Sequence, residues 1–121
     1  MLYEDFNAGL RLSGLDFFRN KVTDNIIKNL NPSFEMRDYQ KEAIGRFVFY
    51  LNDFPERKSP AHLLFNMATG SGKTLIMAAN ILYLYQQGYR NFIFFVNSTN
   101  IIEKTKDNFL NQKSSKYLFA E

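Results

Sequence analysis

Cysteine and tryptophan are absent from the 121 residues, and histidine occurs once. Without cysteine there is no disulfide framework and no thiolate zinc site. The lone His62 has no second histidine with which to share a metal, and it reads as a strand-entry residue. No apolar run approaches the roughly 20 residues that a membrane span needs. The N-terminus "MLYEDFNAGL" lacks the basic flank and apolar stretch of a signal peptide. Together these absences lead us to expect a cytoplasmic protein with no membrane partner. Internal repeats and low-complexity segments are also missing.

What is present is an ordinary globular composition, 45% hydrophobic and 22% charged, which excludes a disordered tail. The net charge of +3 is compatible with nucleic acid but does not point to it alone. There are 13 phenylalanines and seven tyrosines. The pairs Phe17–Phe18 and Phe94–Phe95 read as core or interface filling and not as a base-stacking platform.

Leu15, Phe18, Val22, Ile26 and Leu30 recur at spacings of three and four, which predicts an amphipathic helix over 14–30. Pro32 ends it, and Ser33 is a plausible N-cap for a second helix running to about Leu51. "HLLFN" at 62–66 reads as a short strand, "GKTLIMAANILYLYQQ" at 72–87 as a buried helix closed by Gly88, and "NFIFFVN" at 91–97 as an inner strand. "STNIIEKTKDNFLN" reads as a helix with capping-box spacing between Asn100 and Glu103, and "KYLFA" at 116–120 as a third strand. Strands alternating with helices predict an α/β fold with a parallel sheet and right-handed crossovers.

Between the first strand and its helix lies "FNMATGSGKT". Gly70 and Gly72 open backbone angles closed to other residues, so successive N–H groups of Thr69, Gly70, Ser71 and Gly72 turn inward toward an anion. The helix N-terminus that follows favours phosphate as well. Lys73 then reaches the β- and γ-phosphates, and the Thr74 hydroxyl is offered to the magnesium that bridges them. Met67 stands where the loose GxxxxGK[ST] pattern has its first glycine, but "TGSGKT" is more specific than that pattern. The competing reading is a plain glycine turn.

On the second helix, at about 100° per residue, Met36, Tyr39, Ala43, Ile44, Phe47, Tyr50 and Leu51 form one apolar stripe. Asp38, Lys41, Glu42 and Gly45 fall opposite, and Gln40 lands inside the stripe. A buried amide needs partners. A neighbouring backbone group would serve, and so would the donor–acceptor edge of adenine. "KTKDNFLNQKSSK" at 104–116 is lysine-rich, and reads either as a solvated face or as a strip along a phosphate backbone.

"FEMRDYQKEAI", "MATGSGKT" and "FIFFVNSTNIIEKT" together resemble the N-terminal part of a superfamily 2 helicase motor. In particular they resemble the DEAD/DEAH-type motor subunits of type III and type I restriction endonucleases, over about residues 34–105. The resemblance implies a P-loop NTPase (RecA-like) parallel sheet with flanking helices, incomplete here. It would occupy 34–121, behind an N-terminal helical segment over 1–33. It implies ATP and magnesium as cofactors, DNA as partner, and a modification or specificity subunit beside it. By the same resemblance Gln40 reads adenine, Arg37 and Tyr39 frame the base pocket, and Asn97–Asn100 touch a nucleic acid backbone. Helix capping by Ser98, Thr99 or Asn100 competes with that last role. The acidic motif II of the family is missing, since no "DE" pair occurs. The expectation is therefore a piece of a larger, hydrolysing subunit. The alternatives are a superfamily 2 helicase or repair translocase without a nuclease, and a stand-alone nucleotide-binding module.

Overall fold

The computed structural model describes residues 1–120. Among them are five α-helices: α1 (Leu2–Ser13), α2 (Asp24–Asn29), α3 (Asp38–Asn52), α4 (Lys73–Gln86) and α5 (Thr99–Leu110). A 3-10 turn, Arg19–Lys21, precedes α2. The chain forms two compact units. The first joins Met1–Thr23 to Met36–Gly72, and the second joins Asp24–Glu35 to the chain from Lys73 onward.

The parallel sheet expected from the sequence is not there. The described residues contain no strand, and their one β-type pairing is an isolated antiparallel bridge between Leu30 and Phe119. A strand is stabilised by the ladder it shares with a neighbour. No described segment pairs with 62–66 or 91–97. Leu63 packs on the aromatic core and Phe65 lies 6.1 Å from the Phe47 ring, but several of the other apolar side chains stand in solvent. Leu64 is 91% exposed, Ile93 81% and Phe95 87%. The Phe94–Phe95 pair is thus outside the core. "KYLFA" does meet a partner: Asn31 N–H donates to the Leu118 carbonyl and Ala120 N–H to the Asn29 carbonyl, both at 2.9 Å. The ladder stops there because Asn29 ends α2 on one side, and on the other Leu118 N–H donates to the Asn108 carbonyl and not back to Asn31.

In the first unit the core is aromatic. Leu2, Phe6 and Leu10 repeat every fourth residue and give α1 one apolar face, with Glu4 and Asp5 in its first turn complementing the helix dipole. Phe6 meets Phe18 and Phe49 with ring centroids 5.2 and 5.3 Å apart, and Phe17 meets Phe18 edge-on at 5.1 Å. Tyr50 and Phe54 close the cluster. So 17–18 is core, but the helix predicted over 14–30 is broken. Gly14, at φ 91°, ends α1, and Val22 is extended (ψ 115°) after the 3-10 turn. Phe18, Val22, Ile26 and Leu30 are all buried, whereas Leu15 is 76% exposed.

Gly45 is the second departure. Set on the polar side by helical periodicity, it is in fact buried against the backbone of the 3-10 turn. A Cβ there would lie 1.7 Å from the Phe18 carbonyl oxygen. Only glycine lets α3 cross that closely. The next residue, Arg46, spreads its guanidinium 5.0 Å over the Phe18 ring and bonds Glu42 and Asn7, each at 2.8 Å.

In the second unit α2 packs on α4. Ile26 of α2 and Ala78 and Ala79 of α4 have no exposed surface. α4 ends as the sequence indicated: Gly88, at φ 102°, donates to Tyr85 and Tyr89 to Leu84, both at 3.1 Å, a Schellman closure. α5 buries no residue. The segment after it folds back: the Asp107 carboxylate accepts from Asn111 at 2.7 Å and from the Ser114 hydroxyl at 2.6 Å, and Leu118 N–H donates to the Asn108 carbonyl at 2.9 Å.

Candidate functional site

The glycine-rich stretch is a turn that runs into α4. Gly70 and Gly72 have φ of 78° and 83°, the left-handed region that side-chain-bearing residues avoid. The turn makes one backbone bond of its own, Ser71 N–H to the Ala68 carbonyl at 3.2 Å. Two further bonds reach it from α3, and both end on one atom, the Ser71 carbonyl oxygen. Tyr39 Oη donates to it at 2.9 Å and Gln40 Nε2 at 3.0 Å.

Gln40 is 6% exposed, so it does sit in the apolar stripe. Its Oε1 accepts the Arg37 N–H at 2.9 Å, which secures the start of α3. Arg37, and not Ser33, is the N-cap residue, with extended backbone (ψ 157°). Ser33 instead donates its N–H and hydroxyl to Asn31 Oδ1, at 2.9 and 2.7 Å. A neutral amide has two N–H donors and two lone pairs. One of each is taken in Gln40, and one of each remains. The structural partner and the ligand edge weighed from the sequence are therefore compatible on one side chain.

Tyr39 also lines an open cleft of about 540 Å³ with Glu42, Ala43, Arg46, Met67 and Ser71. The Ser71 hydroxyl oxygen is buried and has no partner among the described residues. An unpaired buried polar group costs about 1–3 kcal/mol, so a ligand oxygen bonded there would relieve a standing deficit. A Cβ at Gly70 would meet nothing within 4 Å, so the tip of the turn is open. One at Gly72 would lie 2.2 Å from Gln40 Nε2. In form and in donor chemistry the turn fits a phosphate.

Thr69 and Gly70 are exposed, Ser71 and Gly72 half-buried. Lys73 and Thr74 open the first turn of α4, in the second unit, with Lys73 exposed and Thr74 half-buried. Arg37 is exposed, three residues ahead of Gln40. Among the described residues no group of three His, Cys, Asp or Glu could hold a metal ion, so a magnesium here has Thr74 as its one candidate ligand from the sequence. His62 is exposed. Ser98 takes the N-cap position of α5 through its backbone, its carbonyl accepting from Ile102 at 3.2 Å. The Asn100–Glu103 capping box does not form, because α5 already starts at Thr99. No described helix is long and apolar enough to cross a membrane.

The sequence signature of the type III restriction enzyme, res subunit, matches residues 33–121. The chain belongs to that family. It is also 48% identical over 113 residues to the probable type III restriction-modification enzyme HindVIP Res subunit of Haemophilus influenzae. The match takes in 88% of this chain and 21% of that protein, so the chain spans about a fifth of the relative's length. No solved structure matches it.

Two features of this turn escaped the sequence reading. The first is the Tyr39 hydroxyl bond to Ser71, which joins residues 32 apart and leaves no mark in local periodicity. The second is the unpartnered Ser71 hydroxyl, which only the fold makes buried.

Proposed function

We propose that the chain is the ATP-binding part of a motor subunit of a type III restriction enzyme. In this reading the subunit couples ATP hydrolysis to movement along DNA, beside a modification subunit. The observation that carries the proposal is the pair of positive-φ glycines, Gly70 and Gly72, directly ahead of α4. Family membership sets the context, a Res subunit.

Each role follows from the chemistry of the residue. The N–H groups of Thr69, Gly70 and Gly72 bind triphosphate oxygens, while Ser71 N–H stays on the Ala68 carbonyl and the Ser71 hydroxyl donates to a phosphate oxygen. Lys73 brings a cationic point charge to the β- and γ-phosphates. The Thr74 hydroxyl is a hard oxygen ligand suited to magnesium. The bound metal would supply charge neutralisation between the phosphates. Gln40 offers its remaining N–H and lone pair to the adenine edge, and Arg37 stands at the rim of that base site.

Titration of the chain with a fluorescent ATP analogue and magnesium tests the proposal. Lys73→Ala should weaken binding about 10- to 150-fold, the worth of a hydrogen bond to a charged group. The thermal midpoint should change little, because Lys73 is exposed. A wild-type chain that binds no ATP, or a Lys73→Ala chain that binds it as tightly as wild type, overturns the proposal.

A further inference from the structure

The Ser71–Gly72 peptide has a choice of orientation that its own turn does not settle. Glycines flank Ser71 on both sides, and glycine populates positive and negative φ about equally. The plane between Ser71 and Gly72 is therefore free to flip at low cost. One orientation presents a carbonyl oxygen to a given side of the turn. The other presents the Gly72 N–H to that side, since C=O and N–H point opposite ways across a planar trans peptide. For an anion the two are opposites, a repulsive dipole end against a donor. The single internal bond of the turn, Ser71 N–H to Ala68, lies on the preceding peptide and leaves this one undecided.

The decision comes from α3. Tyr39 Oη at 2.9 Å and Gln40 Nε2 at 3.0 Å both donate to the Ser71 carbonyl, which uses its two lone pairs. The carbonyl is thereby drawn toward α3, and the Gly72 N–H is turned away from it. Gln40 is held in turn by its bond to Arg37 N–H. Tyr39 carries no such second tie and is 41% exposed, so neither helix start nor core depends on its hydroxyl. Among the described residues that hydroxyl donates to the Ser71 carbonyl.

We propose that Tyr39 is a positioning residue for the phosphate cradle: its hydroxyl, bonded to the Ser71 carbonyl, fixes the Ser71–Gly72 peptide with the Gly72 N–H facing a bound triphosphate. The proposal rests on the nucleotide reading above and adds a residue to it. Holding a donor ready before the ligand arrives removes an ordering cost from binding. The contribution goes to the phosphates and is blind to the base.

The test is Tyr39→Phe in the full chain, which keeps the ring and removes only the hydroxyl. Binding of ATP, GTP and inorganic tripolyphosphate is titrated, with the thermal midpoint and the Gly72 amide resonance followed alongside. The expected result is an equal loss of about two- to tenfold for all three ligands, the worth of one neutral hydrogen bond. The midpoint should fall by no more than about 2–6 °C, the worth of one hydrogen bond, and the ligand-induced shift of the Gly72 amide should shrink. A variant that binds all three like wild type, or loses ATP selectively, overturns the positioning role and leaves the nucleotide reading standing. A wild-type chain that binds neither ATP nor tripolyphosphate overturns both.

Discussion

Replacing Gln40 by alanine separates the two things its amide is arranged to do. The first is structural. The substitution removes the acceptor for Arg37 N–H at 2.9 Å and one of two donors to the Ser71 carbonyl at 3.0 Å. Arg37 is exposed, so water replaces part of its loss. The Ser71 carbonyl keeps Tyr39. Each bond is then worth about 0.5–1.5 kcal/mol, and the pair roughly 1–3 kcal/mol. For a chain of this size that is a fall of about 4–12 °C in thermal midpoint. The second effect appears only with nucleotide. The remaining Gln40 N–H and lone pair match adenine, which offers an acceptor and an amino donor on one edge. Guanine has a carbonyl where adenine has the amino group, so one of those bonds becomes two acceptors facing each other. Wild type should therefore prefer ATP over GTP by about five- to 150-fold, the cost of an unpaired buried polar group. Gln40→Ala should erase that preference while both nucleotides share a further two- to tenfold loss from the loosened turn. The assay is titration of ATP and GTP into wild type and variant, with a thermal melt of each without ligand. A variant that melts like wild type refutes the structural half. A wild type indifferent to the base, or a variant that keeps its preference, refutes the adenine half.

Gly45→Ala should lower stability in a urea melt by about 2 kcal/mol, since the new Cβ overlaps the Phe18 carbonyl and overpacking outweighs the ~1 kcal/mol gained in helix propensity; an unchanged or raised stability would show that α3 and the 3-10 turn do not cross this closely. Asp107 should titrate below the ordinary aspartate value of 3.8, because hydrogen bonds from Ser114 and then Asn111 favour its charged form. A carboxyl depressed in the folded state contributes stability that is fully present above the unfolded value and is lost as pH falls through the folded one. Carboxyl resonances followed through an acid titration should show this, and Ser114→Ala should move Asp107 back toward 3.8.

Local signals were the legible part of the chain. α4 could be read almost to its ends because Gly72 and Gly88 punctuate it and apolar residues fill it. The glycine turn was legible for the same reason, as a positive-φ requirement is written into the residue type. Burial of Phe18, Val22, Ile26 and Leu30 was legible too, though not the break among them, which Val22 makes by going extended within an unbroken apolar spacing. α1 left a signal that went unused, the repeat of Leu2, Phe6 and Leu10. Gly45 was beyond reach, because periodicity assigns it a side of the helix and cannot foresee a backbone crossing at that point. The strands failed differently. "NFIFFVN" and "HLLFN" carry the composition of strands, but composition supplies only propensity, and a strand exists where a ladder partner lies alongside. No described residue supplies one.

The same division between local and distant causes explains how the turn keeps its shape. Beside its own backbone bond from Ser71 to Ala68, it takes two bonds from α3. Its two glycines are consequently unequal. Gly70 is required by φ alone, since a Cβ there would meet nothing. Gly72 is required by φ and also by Gln40, whose amide nitrogen would lie 2.2 Å from a Cβ. A free glutamine tip would swing aside from such a contact. Gln40 is tied at both ends of its amide, to Arg37 and to Ser71, so moving it would unfasten the start of α3 and the turn together. One amide thus makes the helix start, the peptide orientation at Ser71 and the glycine at position 72 conditions of one another. That coupling is why the "RDYQ" stretch and the "TGSGKT" stretch, some 30 residues apart, behave as parts of a single device.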